Sequence, residues 1–565
     1  MSTKTTVYDV LQNQKSLKFI IPAALLLFVW VGYILYINFS YYWDFLHSDI
    51  VADLAFIREA ARTFSLFPEG WAHINEMRFI YVTTPAILFY WITGNVHLSY
   101  SLAVAFMLLV NLALFYYMIS FKKRHLLAVL LGMIVLLMVF SRYSVFSLFS
   151  ILFINGTLST HLATVFLTVG FYLRLKYKET GSYKLEKTLW IITLILAFAQ
   201  GIQSSRMMVV LYAPLVFMEL LQLLRCFKKR EGQLNIIGLI YAFSALALNM
   251  IGMMFINSLI ENGAVVLETA GLTFGLNLVQ TSNFIDRILE ALVTLINALG
   301  LSGGVELFSA EGLTFILRAG FIFIVVFLYH NIKKDEEDKH FVGLMLATVV
   351  FSLLSQSLIT IGMGERFNFT VTSFIAVIFV ITFSQMMRIS ESVSLKQANM
   401  KFQAWISEGV EQQLLHKGVT IFLAVMVLGG SLFSFNTLGA NRNPGLVDDR
   451  QAIVNFLKSQ NLTVGYGAFW QSHAITGVAD WEVVVIPFHA NRSVVGQPLR
   501  QGVAYHDFFH QEQRVFLVGT FAHMEEAYGH ERMGEVLTHG VRHDFPGGWV
   551  VYIFDFNPWA HFKQR

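Results

Sequence analysis

What most constrains this chain is the recurrence of apolar runs about 20 residues long, with Lys and Arg clustered where the runs end. A run of that length crosses a hydrocarbon core of roughly 30 Å as one helix, and it is about twice what a barrel strand needs. Lipid offers the backbone no hydrogen-bond partner, so a spanning segment must satisfy its own N–H and C=O groups, as a helix does. With 56% hydrophobic and 14% charged residues among 565, the composition excludes a soluble globular chain, in which about a quarter would be charged. The expected fold class is an α-helical polytopic membrane protein, multi-pass in the plasma membrane. A net charge of +3 makes no case for nucleic acid, and the lipid bilayer is the implied partner. The single cysteine, Cys226, excludes an intrachain disulfide; beside Lys228 and Lys229 it reads as an inert span-end thiol in preference to a palmitoylation site. The first run, Phe19 to Phe39, is too long for the apolar core of a signal peptide and lacks a small-residue cleavage site, so it reads as an uncleaved anchor.

Lys4, Lys15 and Lys18 precede that anchor, which places the N-terminus in the cytoplasm and Tyr41 outside. The stretch Met77 to Thr93 is apolar but short, and it contains Pro85. Counted as a crossing, it would put Lys122, Lys123 and Arg124 outside; left uncounted, it brings every later basic cluster inside. The following spans are then Val96–Ser120, His125–Phe140, Leu158–Leu173, Thr188–Ala199, Met207–Leu224, Ile236–Leu259, Thr314–Tyr329, Phe341–Ile361, Phe367–Met387 and Val419–Leu438. With the anchor they make about eleven crossings. Ile285 to Leu299 is apolar at helical spacing, but as a crossing it would expose Lys333 and Lys334, so it is expected to be juxtamembrane or re-entrant. The chain divides into a transmembrane domain, 1–439, with outer loops 41–95 and 260–312, and an extracytoplasmic domain, 440–565. After Asn443-Pro444-Gly445 the composition becomes that of a soluble unit: a helix capped by Asp448 or Asp449, strands over Leu462–Phe469, Glu482–Phe488 and Val515–Val518, a helix over His523–Leu537 and a closing strand over Trp549–Phe556. Strands alternating with helices predict a small α/β domain.

The first outer loop is richest in groups that carry chemistry. In HSDIVADLAFIREAARTF, Val51, Leu54, Ala55, Arg58 and Arg62 fall at helical spacing after Asp49, which predicts a helix lying on the membrane with an acidic start. Taken from the residues alone, Asp49 or Asp53 as a simple helix cap is the favoured reading. Further along, FPEGWAHINEMRF offers Glu69, His73 and Glu76 beside Trp71, a set suited to a polyhydroxylated ligand, although Trp71 serves equally as an interface anchor. His506 and His510 stand four apart in HDFFH, but no third ligand is spaced to complete a zinc site.

One span, then an outer loop in which an acidic residue opens a juxtamembrane helix, then a Pro-bearing segment that does not cross, resembles the membrane glycosyltransferases of the GT-C superfamily. The likeness covers most of the chain as architecture, including the later outer loop and the outer C-terminal domain. The run VGYGAFWQSHAITGVADWEVVVIPF is similar to the outer domain of uncharacterised bacterial members. The resemblance implies a hexosyltransferase-type enzyme that moves a sugar from a polyprenyl-phosphate-linked donor to a cell-envelope acceptor, inverting the anomeric centre, with Asp49 as general base. Asp49 would take the proton of the acceptor hydroxyl, and cations would receive the charge of the departing phosphate. Arg366 in GMGERFNFT resembles the superfamily's arginine-aromatic motif, with Glu365 beside it, and Arg206 in QGIQSSRMM is the second candidate. An arginine fork suits phosphate because it donates two hydrogen bonds at once. Metal-dependent relatives carry a second acid in the next outer loop; here SRYSVFSLFSILFINGTLSTH has Arg142, Asn155 and His161 but no Asp or Glu. No cofactor is firmly expected on that account: Asp49 and Asp53 with Glu69 or Glu76 are the residues left to hold Mg or Mn, and a hard cation usually wants more converging oxygens than these.

Two other classes compete with the enzyme. A lipid-linked glycan flippase or transporter would place ionisable or helix-breaking residues in mid-membrane, often in related halves, whereas here the polar residues gather in the outer loops. The missing second acid keeps open a catalytically inactive GT-C-like binding protein.

Overall fold

The computed structural model describes residues 7–41, 48–68, 71–73, 76–138, 149–177, 183–229, 236–267, 284–301, 309–332, 334–358, 368–399, 409–440, 444–467, 469–487, 514–520, 522, 524 and 537–557. Helices dominate: α1 (Val7–Ser40), α2 (Ser48–Thr63), α3 (Thr83–Thr93), α4 (Val96–Ile119), α5 (Leu126–Leu137), α6 (Ser159–Tyr177), α7 (Tyr183–Gln203), α8 (Ala213–Lys229) and α9 (Ile236–Glu261). They are followed by α10 (Phe284–Ala298), α11 (Ala310–Asn331), α12 (Glu336–Leu358), α13 (Val371–Asn399), α14 (Gly409–Ala440), α15 (Pro444–Ser459) and α16 (Phe469–Val478). Each of the expected spans coincides with a helix. Among the described residues, 7 helices are long and apolar enough to cross a membrane, and α5 and the apolar part of α14, Ile421–Phe435, are shorter. Helix α6 is more polar than a lipid-facing helix because nearly all of it is buried: Thr160, His161, Thr164 and Thr168 face protein. The protein is a polytopic membrane protein.

The stretch Met77–Thr93 forms no crossing. Its helix, α3, has 11 residues, ends at Gly94 in the left-handed conformation (φ 66°), and packs on α2 and α4. At about 1.5 Å per residue it reaches only about halfway through a hydrocarbon core. Helix α10 is amphipathic, with Ile285, Leu289, Val293 and Ile296 exposed and Ala291 and Ala298 buried. It docks on the last turns of α12, where the Thr294 hydroxyl lies 3.5 Å from Gln356 Oε1 and the Gln356 amide donates to Asn368 at 3.1 Å.

Two ends of the bundle are distinguished by what closes them. At one, Arg124 makes a two-pronged ion pair with Asp338, Lys122 pairs with Asp335, and Arg388 donates to the Lys123 carbonyl. This ties the α4–α5 and α11–α12 turns together. Glu219 is a charge within the span Met207–Leu224: it is buried, paired with Lys176 and bonded by the Tyr172 hydroxyl, which also meets His340 Nε2 at 2.9 Å. Pairing is what lets the charge stay there.

At the other end, strand β1 (Ala72–His73) pairs in parallel with β2 (Val266–Leu267), so the two long loops meet. The same end carries the C-terminal sheet of β3 (Val464–Gly467), β4 (Val484–Pro487), β5 (Val515–Thr520), β6 (Val541–Asp544) and β7 (Trp549–Phe554), in the order β4-β3-β5-β7-β6. Strands β4, β3 and β5 run parallel, and β7 is antiparallel to both β5 and β6. Helix α16 makes the crossover from β3 to β4; the sequence pattern misses it because its ten residues, FWQSHAITGV, mix apolar and polar types without a clear stripe. The helix expected over His523–Leu537 falls largely outside the described residues.

Helices α7 and α9 cross at backbone contact. A Cβ on Gly201 would run into the Asn249 carbonyl, and one on Gly252 into that of Phe198. Asn249 Nδ2 donates to the Ala197 carbonyl at 2.9 Å across the same seam. Small residues let helices approach this way in lipid. Gly201→Val or Gly252→Val is expected to force the helices apart at a cost of about 1–3 kcal/mol, read as a lowered midpoint of thermal unfolding in detergent.

Candidate active site

Helix α2 carries the site. Asp49 lies in its first turn, where a carboxylate is favoured by the unpaired N–H groups of the helix start, and it is half-buried. The helix expected over this stretch is walled by protein on both sides. Ile50, Val51, Ala52, Leu54, Ala55, Phe56 and Ile57 are all buried. They share one apolar core with Val82, Ala86 and Tyr100 on the bundle side and with Ile453, Leu457, Ile475 and Val478 of the C-terminal domain. One amphipathic stripe was legible from the spacing; the second wall comes from the far end of the chain.

Asp53, one turn after Asp49, is 1% exposed and meets Arg78 Nε at 2.5 Å. Tyr100, fully buried on α4, donates to the Asn155 carbonyl at 2.6 Å and stands 3.3 Å from Asp53 Oδ2. Burial pushes the Asp53 carboxyl up to about 6, held back by the charge and hydrogen bond of Arg78 and raised further by the charge of Asp49. Asp53, Arg78, Glu76 and Asp49 all act electrostatically on the buried phenol of Tyr81, whose pKa burial raises well above its ordinary value.

The segment from Glu76 to Thr84 is stitched into the bundle. Met77 N donates to the Gln203 carbonyl at 3.1 Å, Ile80 N to Gln203 Oε1 at 2.7 Å, and the Thr160 hydroxyl to the Ile80 carbonyl at 3.0 Å. Arg78 goes to Asp53, while Glu76 pairs with Arg206 and stands 3.6 Å from His161 Nε2. The structure thus gathers Asp49, Asp53, Glu76 and Arg206 of the expected residues around one loop.

The remaining candidates are placed differently. His73 is 1% exposed, set against Phe56 (5.6 Å between ring centres) and Phe67 (6.4 Å). Trp71 lies edge-on to Phe56 at 5.5 Å, 3% exposed, so it is a core residue and no interface anchor. Glu69, Glu365 and Arg366 lie outside the described residues. Among the described residues, no group of three or more His, Cys, Asp or Glu side chains is placed to hold a metal ion.

Sequence reasoning missed Arg78, Tyr81, Tyr100 and His473. Arg78 had a signal: a lone cation at the head of an apolar run must find an anion or leave the run. His473 had none, since it comes from α16 of the C-terminal domain, buried and close enough to Arg78 to feel its charge.

No protein-family model and no curated protein sequence matches the chain. Among solved structures, ArnT from Cupriavidus metallidurans matches with a TM-score of 0.55 over 96% of this chain and 98% of that one, at 12% identity. The chain shares the fold of the ArnT structure. Both the ArnT structure bound to undecaprenyl phosphate and the one in the apo state align equally well. The match runs through the bundle and the C-terminal domain alike, so the ArnT-like fold includes the sheet that roofs α2.

Burial holds His73 and His473 down to about 3, with the charge of Arg78 adding to it in both. An unfolded chain binds protons at these two positions as pH falls below about 6.5, and the folded one does not. Their contribution to stability is therefore full above 6.5 and is lost progressively toward 3. Asp53 runs the other way, favouring the fold below about 6. The unfolding midpoint in detergent is expected to fall between pH 7.5 and pH 5, and His73→Gln or His473→Gln to make that fall shallower.

Proposed function

We propose that this chain is a membrane glycosyltransferase of the GT-C type, moving a sugar from a polyprenyl-phosphate donor to an extracytoplasmic acceptor such as a cell-surface polysaccharide, teichoic acid or glycolipid. The observation that carries this reading is the end-to-end likeness to ArnT, whose structure holds undecaprenyl phosphate, combined with an acidic residue at the start of α2. In the proposed reaction Asp49 removes the proton of an acceptor hydroxyl as its oxygen attacks the anomeric carbon. The bond from that carbon to the phosphate oxygen breaks, the electron pair leaves with the lipid phosphate, and the sugar inverts. Asp53 is poorly suited to be the base, because it is enclosed and spent on Arg78; it fixes the helix that presents Asp49. Arg206, at the same end and already paired with Glu76, is one cation for the departing phosphate, and Arg366 with Glu365 is the other.

Asp49→Asn keeps the size and removes the base. Cell-surface glycans from cells carrying this variant at wild-type level are expected to lose the transferred sugar, with a rate reduction of about 100- to 10,000-fold; unchanged glycan composition sinks the assignment. The basic clusters at the Lys122 end set the proposed orientation, with the N-terminus cytoplasmic and the C-terminal domain outside. A reporter fused after Arg565 is expected to be active only if it is one that matures outside the cytoplasm, and activity of a cytoplasm-only reporter there reverses the topology.

A further inference from the structure

Beyond apolar contact, one turn of the C-terminal domain grips α2. After α16 ends, Asp480 and Trp481 adopt φ of 47° and 62°, a left-handed conformation that Asp tolerates and that is unusual for a bulky Trp. The Trp481 amide donates to the Thr476 carbonyl at 3.1 Å and that of Glu482 to Ala479 at 3.0 Å, so the turn is tied back onto α16. Its two side chains converge on Arg58. The guanidinium stands 4.5 Å above the centre of the Trp481 ring, and the Asp480 carboxylate lies 4.0 Å from Arg58 Nη1. His97, at the start of α4, approaches the same carboxylate at 3.8 Å and the Trp481 ring at 6.1 Å. One turn therefore touches both the helix carrying the proposed base and the start of α4.

We infer that the Asp480–Trp481 turn is a positioning element: by holding Arg58 it sets the tilt and roll of α2 and so the place of Asp49. This rests on the reading of Asp49 as the base. Two fixed points define a rigid helix. Asp53–Arg78 supplies one, and Arg58 on Trp481 supplies the other, a turn and a half further on. The Arg58–Asp480 ion pair alone is weak, since its side chains are 40% and 67% exposed. Stacking on the indole is what gives the contact direction. A general base must stand within hydrogen-bond reach of its proton, and a displacement of about 1 Å costs roughly 100-fold in rate.

The experiment uses full-length protein with Trp481→Ala, and with Trp481→Phe to restore a ring. Arg58→Lys, which keeps the charge and loses the planar stack, is a second variant should Trp481→Ala not accumulate. Two readouts are taken: transferred sugar in cell-surface glycans, and thermal stabilisation of the purified protein by undecaprenyl phosphate. A tenfold or larger drop in transferred sugar for Trp481→Ala and Arg58→Lys, with lipid stabilisation unchanged and sugar recovered in Trp481→Phe, supports the positioning role. Transferred sugar within twofold of wild type in both variants, while Asp49→Asn abolishes it, overturns it. A third readout is independent of the base. In a Cys226→Ser background, which has no other cysteine, the rate at which Asp49→Cys reacts with a water-soluble maleimide should change at least fivefold on adding Trp481→Ala and return with Trp481→Phe. An unchanged rate overturns the positioning role even if Asp49 proves dispensable for transfer.

Discussion

Helix α2 has apolar residues on two faces, and each face needs a wall. The bundle supplies one through α3 and α4, and the C-terminal domain supplies the other through α15 and α16. This double burial is the constraint from which the rest of the site follows. It encloses Asp53, which is why Arg78 must be there, and Arg78 in turn requires the Glu76–Thr84 segment to lie flat across the ends of α6 and α7. Breaking a buried pair of this kind by removing one partner costs about 3–5 kcal/mol, because the other charge is left without compensation. The carboxylate of Asp53 thus belongs to the architecture, whereas Asp49, half-buried in the first turn of the same helix, is the one to which the proposed reaction assigns the chemistry.

The bundle was largely legible in the sequence because lipid imposes a simple rule: length, apolarity and terminal charge define a span. Met77–Thr93 shows the rule at its most useful, since the positions of Lys122, Lys123 and Arg124 removed it from the count and α3 is too short to cross. Two features escaped. Glu219 sits inside a span without breaking the apolar average, and its partners Lys176 and Tyr172 come from another helix. Helix α16 carries no stripe because it is buried on most sides. In the candidate site, Asp49, Asp53, Glu76 and Arg206 were named from the sequence and are gathered around one loop, but their pairings were not legible. A partner choice such as Arg78 with Asp53 or Glu76 with Arg206 is decided by which backbone edge faces which helix, and spacing along one chain does not encode that.

Likeness in fold to ArnT at 12% identity means that helix packing has been kept while nearly every side chain differs. The backbone crossing of α7 on α9 at Gly201 and Gly252 shows how such an arrangement is held without particular large residues. That seam also ends at Gln203, whose carbonyl and side chain fix Met77 and Ile80, so close helix contact is passed on directly to the loop that bears Glu76 and Arg78.

The walls of α2 are made at very different moments of synthesis. Helices α3 and α4 leave the ribosome directly after α2, β2 arrives much later to pair with β1, and α16 later still. Until then the face of α2 that packs on the C-terminal domain has no permanent cover, and the charge of Arg58 has no indole to rest on. The second wall is therefore added only after the whole bundle has been made, which gives the growing protein an interval in which that face is open to chaperones and quality-control proteases.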